Sequence, residues 1–349
     1  AKARGLEEEG ISTWIYSGSY PADGGHITGT LRSDIVLIDK ILGGKVAMSD
    51  HRSSMPSTQA YASLAAEARI GGMLSGKAGV LHIHMGDGKR GLEPVLEILE
   101  TTELPISVFR PTHVNRNPML YKQTIQFALQ GGIIDLTCGM TGSAIPVPQA
   151  VKQALDAGVP LERLTLSSDG NGSMPKFNEN NELIGLTAAA PRYLYEEMLS
   201  IVKAGVLPFE KALQLITCNV ADALKLEDKG RIAVGKDADL IVWNDDLTLN
   251  KVFARGRLMV DEGQAVVNYD GENHLDFDLF LFYPRCLCQR CKKRNCLYLS
   301  IYSYAVFLHV HAGRSFWSTA AGLYRTIILN KNRIIKTKGL FLNEIVLFS

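Results

Sequence analysis

Six rounds of strand followed by helix predict an incomplete TIM-type (β/α)8 barrel, with about six of its eight strands, followed by a small β unit. Three observations carry this expectation. Runs rich in β-branched and aromatic residues alternate with runs of helical apolar spacing, and the strand ends fall near residues 20, 51, 85, 114, 139 and 169. Strands separated by helices pair in parallel, and a regular interval of about 25–35 residues favours a barrel over an open doubly wound sheet. No G-x-G-x-x-G follows the first strand, which weakens a dinucleotide-binding alternative.

The elements read in order as follows. Ile11–Tyr20 (ISTWIYSGSY) is rich in strand formers. Ser33–Leu42 has helical spacing of Ile35, Leu37, Ile38, Ile41 and Leu42. Lys45–His51 is a short strand, and Thr58–Leu74 is a helix opened by a Ser/Thr cap region after Pro56. Gly79–Met85 is a strand and Leu92–Glu100 a helix; Ile106–Val114 is a strand and Met119–Leu129 a helix stopped by Gly131–Gly132. Ile133–Cys138, the helix Pro148–Ala157 and the strand Leu164–Ser168 complete the alternation, and helices follow over Thr187–Ala204 and Phe209–Leu224. Past Leu224, 230–243 and 251–267 are short alternating strands with turns at Gly235–Asp237 and Asp261–Gly263. Three segments result: a partial barrel over 1–225, part of a small β-sandwich over 226–270, and an atypical tail over 271–349 that stands outside the fold.

Composition separates the tail from the body. The chain of 349 residues carries a net charge of +1, which argues for no nucleic-acid partner. From Leu275 onward, eleven Lys/Arg face three Asp/Glu, and four of the six cysteines, Cys286, Cys288, Cys291 and Cys296, sit within eleven positions. Their spacing matches no usual zinc-knuckle pattern. The apolar run 296–313 is at the short limit for a membrane span and carries two histidines, so no membrane partner is expected. Cys138 and Cys218 lie far apart, so no disulfide framework is expected. The start, AKARGLEEEG, has no signal-peptide order and no initiator Met; it reads as the middle of a charged helix within a larger protein.

In parallel barrels the chemistry gathers at the C-terminal strand ends. There stand Tyr20, Lys45 with Ser49-Asp50-His51-Arg52 beyond it, His84, His113 with Arg116, and Asp169 in SSDGNGS. Two histidines on adjacent strands with an aspartate from the last form a metal constellation with open positions. His82 shares a strand face with His84 by the two-residue period and is a weaker candidate for an additional ligand. A lysine pointing into a barrel is held as a neutral amine by burial, the form that takes up CO2 as a carbamate.

The strings KVAMSDHRS, LHIHMGD, PTHVNRN and LSSDGNGS, in this order and spacing, resemble the amidohydrolase superfamily and within it the isoaspartyl (β-aspartyl) dipeptidases. The resemblance covers residues 1 to about 270, and GRIAVGKDADLIVW resembles the C-terminal β-sandwich piece of such hydrolases. It implies a metal-dependent hydrolase cleaving the isopeptide bond of dipeptides with an N-terminal β-linked aspartate by a metal-activated hydroxide. It further implies two zinc ions in an intact member, bridged by a carbamate on Lys45. His84 and His113 would serve one metal. Asp169 would be both metal ligand and proton carrier, and Tyr20 would polarise the scissile carbonyl. Tyr20, Arg52, Arg116 and Ser173 would hold the substrate. A cytoplasmic location and a homo-oligomeric state are implied in the same way.

The sequence departs from the family at its start. The first-strand H-x-H pair, the glutamate that follows it and a second-strand threonine have no counterpart; the H-x-H strings here are His82-Ile83-His84 and His309-Val310-His311. The expectation is therefore one bound zinc or none, with two barrel strands missing. Two alternatives stay open: a catalytically incomplete fragment or pseudoenzyme, and another amidohydrolase such as a dihydroorotase-like or N-acyl amino acid hydrolase.

Overall fold

Parallel strands whose faces are both covered must bury nearly every residue, and the central strands here do so. The strand β2 (Ile41–Met48) is buried along its whole length, as is β3 (Val80–Met85). They sit between β1 (Ile15–Gly18) and β4 (Phe109–Thr112) in a four-stranded parallel sheet of order β1-β2-β3-β4. A second parallel pair, β5 (Ile134–Thr137) and β6 (Leu164–Ser167), continues the same alternation. The computed structural model describes residues 2–22, 24–177 and 183–267. Beyond these it describes the backbone of five short strands, Cys296–Leu299, Leu308–His311, Arg314–Phe316, Tyr324–Asn330 and Ile345–Phe348. The expectations placed on the tail, including its clustered cysteines and apolar run, fall largely outside the described residues.

Helices connect the strands: α1 (Lys2–Glu8) precedes β1, α2 (Leu31–Leu37) follows it, and α3 (Thr58–Ser75) follows β2. After them come α4 (Glu93–Thr101), α5 (Pro118–Leu129) and α6 (Val147–Asp156). Side chains alternate across each strand. One set (Val46, Met48, Leu81, Ile83, Met85, Phe109, Leu136, Leu166) joins the main core with Ala65, Val95, Ile98 and Leu120 from the helices. The other set is polar: Lys45, His82, His84, Thr112, Asp135, Thr137, Thr165 and Ser167, all buried. Register aligns this second set in rows, Gly18 with Lys45, His82 and Arg110, then Ala47 with His84 and Thr112.

Several boundaries differ from the sequence expectation. The first strand shortens to Ile15–Gly18, and the first interior helix ends at Leu37 because Ile41 and Leu42 belong to β2. Residues 106–108 form a 3-10 turn before β4, and His113 leaves the strand in a left-handed conformation. Residues 173–188 contain a hairpin, β7 (Ser173–Phe177) and β8 (Leu183–Ala188), so the next helix, α7 (Tyr193–Lys203), starts later than expected. The expected helix over 209–224 is broken into α8 (Phe209–Gln214) and α9 (Cys218–Ala223) at Thr217, whose ψ of −99° is not helical. The Asn219 amide donates to the carbonyls of Leu161 and Leu164, at 2.8 and 2.9 Å, which ties α9 to the start of β6 rather than in line with α8.

The small β unit holds β9 (Leu240–Trp243), β10 (Leu249–Ala254), β11 (Arg257–Asp261) and β12 (Gln264–Ala265), each antiparallel to its neighbour. The sheet continues past β9 through two strands of the tail, Tyr324–Asn330 parallel to β9 and Ile345–Phe348 antiparallel to that. These two strands correct the expectation that the tail stands outside the fold. Trp243 fastens it to the helices: its ring lies 6.3 Å from that of Tyr195 and 5.1 Å from that of Phe209. Among the described residues no helix is long and apolar enough to cross a membrane.

Asp135 cross-links the inner faces of three strands. Its carboxylate accepts from Thr112 Oγ1 at 2.6 Å, Thr165 Oγ1 at 2.8 Å and Ser167 Oγ at 2.5 Å. Burial raises its pKa to about 6, and the three hydroxyl bonds work against that rise without cancelling it. A carboxyl whose folded pKa lies above the unfolded value contributes stability that is fully present below the unfolded pKa and lost as pH rises through about 6. Urea unfolding should therefore show the wild type losing about 1–2 kcal/mol between pH 5 and 7.5 relative to Asp135→Asn. Parallel pH profiles of the two proteins would contradict this account.

Candidate active site

The strand β2, the strand ends of β3 and β4 and the loop after β6 bring Lys45 within electrostatic reach of His84, His113 and Asp169, and the two histidines within reach of each other. Lys45 lies on the inner face of β2 and is buried. Burial lowers its pKa, Asp169 acts to raise it, and Arg52 lowers it further. The net direction is downward, toward the neutral amine that the sequence expectation requires.

His84, the inner residue of β3, is held from both sides. Its Nε2 lies 3.0 Å from Asp50 Oδ2, and its Nδ1 lies 3.4 Å from the Tyr20 hydroxyl. The Tyr20 ring packs against the imidazole at 4.6 Å between centroids. Burial pushes the pKa of His84 down to about 3, against the opposing hydrogen bond from Asp50, so the ring is neutral. Asp50 itself is buried. Its burial works to raise its pKa, but bonds from His84 and Arg52 override this and hold it well below the usual carboxylate range. Arg52 grips the same carboxylate through Nε and Nη2, both at 2.9 Å, and its guanidinium lies over the Tyr20 ring at 4.8 Å.

His113 has φ +60°, a conformation a β-strand cannot continue, so it turns its imidazole inward as β4 ends. Its ring lies 4.4 Å from that of His84, edge to face. Its Nδ1 lies 2.8 Å from Thr137 Oγ1, while its Nε2 is buried with no hydrogen-bond partner. Burial drives its pKa well below the ordinary value, with His84, Arg116 and Lys45 adding in the same direction. Asp169 also has a left-handed backbone, with φ +48°, inside a tight turn closed by the Gly172 N–H to its carbonyl at 2.7 Å. Its Oδ1 is shut off from water without a hydrogen-bond partner. Burial raises its pKa more than Lys45 and Arg116 lower it.

The remaining expected residues divide. Arg116 reaches the strand end of β3: Nη1 donates to the Met85 carbonyl and Nε lies 3.4 Å from Asp87 Oδ2. Ser173 begins β7, next to the turn that carries Asp169, and its side chain lies outside the described set. His82 sits one row deeper than His84, and its ring stacks on Tyr16 at 4.8 Å and 6° between planes. Sequence reasoning sets Asp50 and Asp87 at the strand ends without a role and has no sign of Thr137; the three hold the expected residues in place. Asp50 left a trace: an aspartate accepting the backbone N–H two residues on, here Arg52 N at 2.8 Å, is a common turn device after a strand.

The donor set fits a divalent cation. A buried polar atom without a partner costs about 1–3 kcal/mol, and both His113 Nε2 and Asp169 Oδ1 are in that state. His113 has Nδ1 engaged by Thr137 and Nε2 without a hydrogen bond, while His84 has Nε2 against Asp50 and Nδ1 3.4 Å from the Tyr20 hydroxyl. Such outer partners set the tautomer of a ligating histidine. Among the described residues no three His, Cys, Asp or Glu side chains are gathered at ligating distance, so the two histidines are the gathered pair and the third ligand is not.

Known proteins give the arrangement a context. The sequence pattern of the amidohydrolase family matches residues 145–259. The crystal structure of β-aspartyl dipeptidase from Fervidobacterium islandicum AW-1, in complex with the β-Asp-Leu dipeptide, is 40% identical with a TM-score of 0.71. That match covers 77% of this chain and 72% of the other. A second structure of β-aspartyl dipeptidase from that organism is 37% identical with a TM-score of 0.68, covering 77% and 70%. Curated relatives match over shorter stretches. Adenine deaminase 1 of Carboxydothermus hydrogenoformans is 30% identical over 30% of this chain and 17% of its own length. Imidazolonepropionase of Anaeromyxobacter sp. (strain K) is 35% identical over 32% and 22%. The matched stretches thus span less than a quarter of these curated relatives.

The turn around Asp169 has no room for a side chain at Gly172. An added Cβ would lie 2.6 Å from the Asp169 carbonyl oxygen and 2.7 Å from its Oδ2. Gly172→Ala should displace the carboxylate, and if Asp169 is a ligand, affinity for zinc added as the probe cation should fall about tenfold, the scale seen when a ligand's support is disturbed. Chelator competition measures this, with the urea midpoint as a control; unchanged affinity would detach Asp169 from the metal site.

Proposed function

The chain belongs to the β-aspartyl dipeptidase family of amidohydrolases, and from that premise we propose metal-dependent hydrolysis of the isopeptide bond in dipeptides with an N-terminal β-linked aspartate. The observation that carries the reading is a pair of neutral, buried histidines flanked on neighbouring strand ends by two arginines. A histidine kept neutral binds a cation, and a planar guanidinium matches a carboxylate with two parallel bonds. A β-aspartyl dipeptide carries two carboxylates, one on each residue.

His84, His113 and Asp169 would hold one zinc ion, with Lys45 beside them as a neutral amine able to form a carbamate. Zinc, when bound, supplies a Lewis acid and lowers the pKa of water. The rest falls to the chain's own residues. Arg52 and Arg116 orient the two carboxylates, with Ser173 assigned to the same task by the family resemblance. The Tyr20 hydroxyl, already directed at His84 Nδ1, donates to the carbonyl oxygen as negative charge develops there. Asp169, its pKa raised by burial, accepts the proton of the attacking water and returns it to the leaving amine.

The same premise extends to the architecture. β1 to β6 are read as six of the eight barrel strands and β9 to β12 as part of a small β-sandwich, which the parallel order of β1–β4 and the antiparallel order of β9–β12 support. A second reading is a remnant that binds metal without turnover. One observation favours it: among the described residues the gathered metal ligands stop at the histidine pair.

Zinc content after dialysis and aspartate release from β-Asp-Leu, compared with α-Asp-Leu, separate the two. The expected outcome is fewer than two zinc ions per chain, weak release from the β-linked substrate at least about tenfold faster than from the α-linked one, and a loss of zinc affinity of about 100-fold in His113→Ala. Zinc binding without release supports the remnant. No zinc binding and no release defeat the dipeptidase reading and leave a remnant without metal.

A further inference from the structure

The surroundings of Asp50 are built around its carboxylate. Its side chain is almost wholly buried, and its two oxygens take four bonds. Oδ1 accepts the Arg52 backbone N–H at 2.8 Å and Nε at 2.9 Å. Oδ2 accepts Arg52 Nη2 at 2.9 Å and faces His84 Nε2 at 3.0 Å. Ser49, just before it, adopts φ +51° at the end of β2, which turns the chain so that Asp50 faces β3. Gly86 leaves the space: a Cβ there would lie 2.4 Å from Asp50 Cα and 2.6 Å from its Cβ.

We propose that Asp50 is a positioning residue that fixes the tautomer of His84 and the plane of Arg52 with one carboxylate. The two halves of the site, metal and substrate carboxylate, would then be held in register by a single group. This rests on the reading of His84 as a metal ligand and Arg52 as a carboxylate binder.

Two groups lie 3.0 Å from His84 Nε2: the Asp50 carboxylate, which attracts a proton there, and Arg52 Nη2, which can only donate. Arg52 Nη2 is also bonded to Asp50 Oδ2 at 2.9 Å, so the carboxylate is the group assigned control and the proton of the neutral imidazole is placed on Nε2. The lone pair is left on Nδ1, on the Tyr20 side of the ring. Asp50 also engages Arg52 through Nε and Nη2, which fixes the guanidinium plane while turning the Nη1 end away from this bond. Asparagine in place of Asp50 keeps the shape but removes the charge that selects the tautomer.

Long-range 1H–15N correlation spectra of histidine-labelled, metal-free protein read the tautomer directly, with the His84 signals assigned from His84→Gln. The wild type should show the Nε2–H form, and Asp50→Asn a shift toward Nδ1–H. Zinc affinity by chelator competition should fall about 10–100-fold in Asp50→Asn. With β-Asp-Leu its KM should rise. Arg52→Gln separates the two arms: the tautomer and zinc affinity should stay as in the wild type while KM rises. An unchanged tautomer and zinc affinity in folded Asp50→Asn overturns the proposal, and so does a changed tautomer in Arg52→Gln, which would make the guanidinium the deciding group. If the wild type binds no zinc, the metal reading fails, while the tautomer spectra still decide whether Asp50 positions His84.

Discussion

Removing several ionisable side chains from water together is the constraint on which the strand-end site depends. Lys45, His84 and His113 lie inside the strand array, and a charge placed there without a partner is strongly disfavoured. The response is uniform in direction: burial drives lysine and histidines toward their neutral bases and Asp169 toward its acid. A set of neutral donors crowded in a low-dielectric interior is poorly solvated by itself and well matched to a cation, whose charge reverses the local preference. Asp50 is the exception that fits the rule. It stays ionised because four hydrogen bonds, two of them from one guanidinium and one from its backbone, replace the water it lost.

The fold delivers these groups through two simple devices. The first is the two-residue period of the strands, which sends Val46, Met48, Ile83 and Met85 to the helices and Lys45, His82 and His84 inward. The second is a left-handed residue where a strand ends: Ser49 after β2, His113 after β4 and Asp169 after β6 all have positive φ between 48° and 60°. A non-glycine residue in that region costs on the order of 1 kcal/mol or more. It persists because each turn is closed from outside, by the Gly88 N–H to the Ser49 carbonyl, the Arg116 N–H to the His113 carbonyl and the Gly172 N–H to the Asp169 carbonyl. The interior of β4 to β6 is then stitched by Asp135 and three hydroxyls in place of apolar packing.

The parts legible in the sequence were those set by local pattern. β-branched runs mark the strands, helical spacing marks α3 and α5, and strand-end position marks Lys45, His84, His113 and Asp169. The parts that were not legible depend on distant partners. The break between α8 and α9 is set by Asn219 reaching carbonyls 55 and 58 residues away. Thr137, which holds His113, lies one strand further along the chain and looks like any strand threonine. The hairpin β7–β8 interrupts the strand–helix rhythm with Pro175 and Gly185, residues that depress strand propensity. The spacing of His82 and His84 correctly puts both on one face but cannot say that Tyr16 stacks on the deeper ring.

Two arginines stand at the site, and the chain prepares them differently. Arg52 binds a buried carboxylate through two parallel bonds and rests on an aromatic ring, three restraints on a planar group. Arg116 pairs with Asp87, whose carboxylate is 66% exposed and 3.4 Å away, so water competes for that bond. Its firmer hold is the donation from Nη1 to the Met85 carbonyl, which anchors one edge of the guanidinium and leaves the other to the solvent-facing aspartate. A side chain already fixed loses little rotamer entropy on meeting a ligand, whereas one held at an edge loses more. The gain in preorganisation is therefore concentrated at Arg52, whose Nη2 lies 3.0 Å from His84 Nε2.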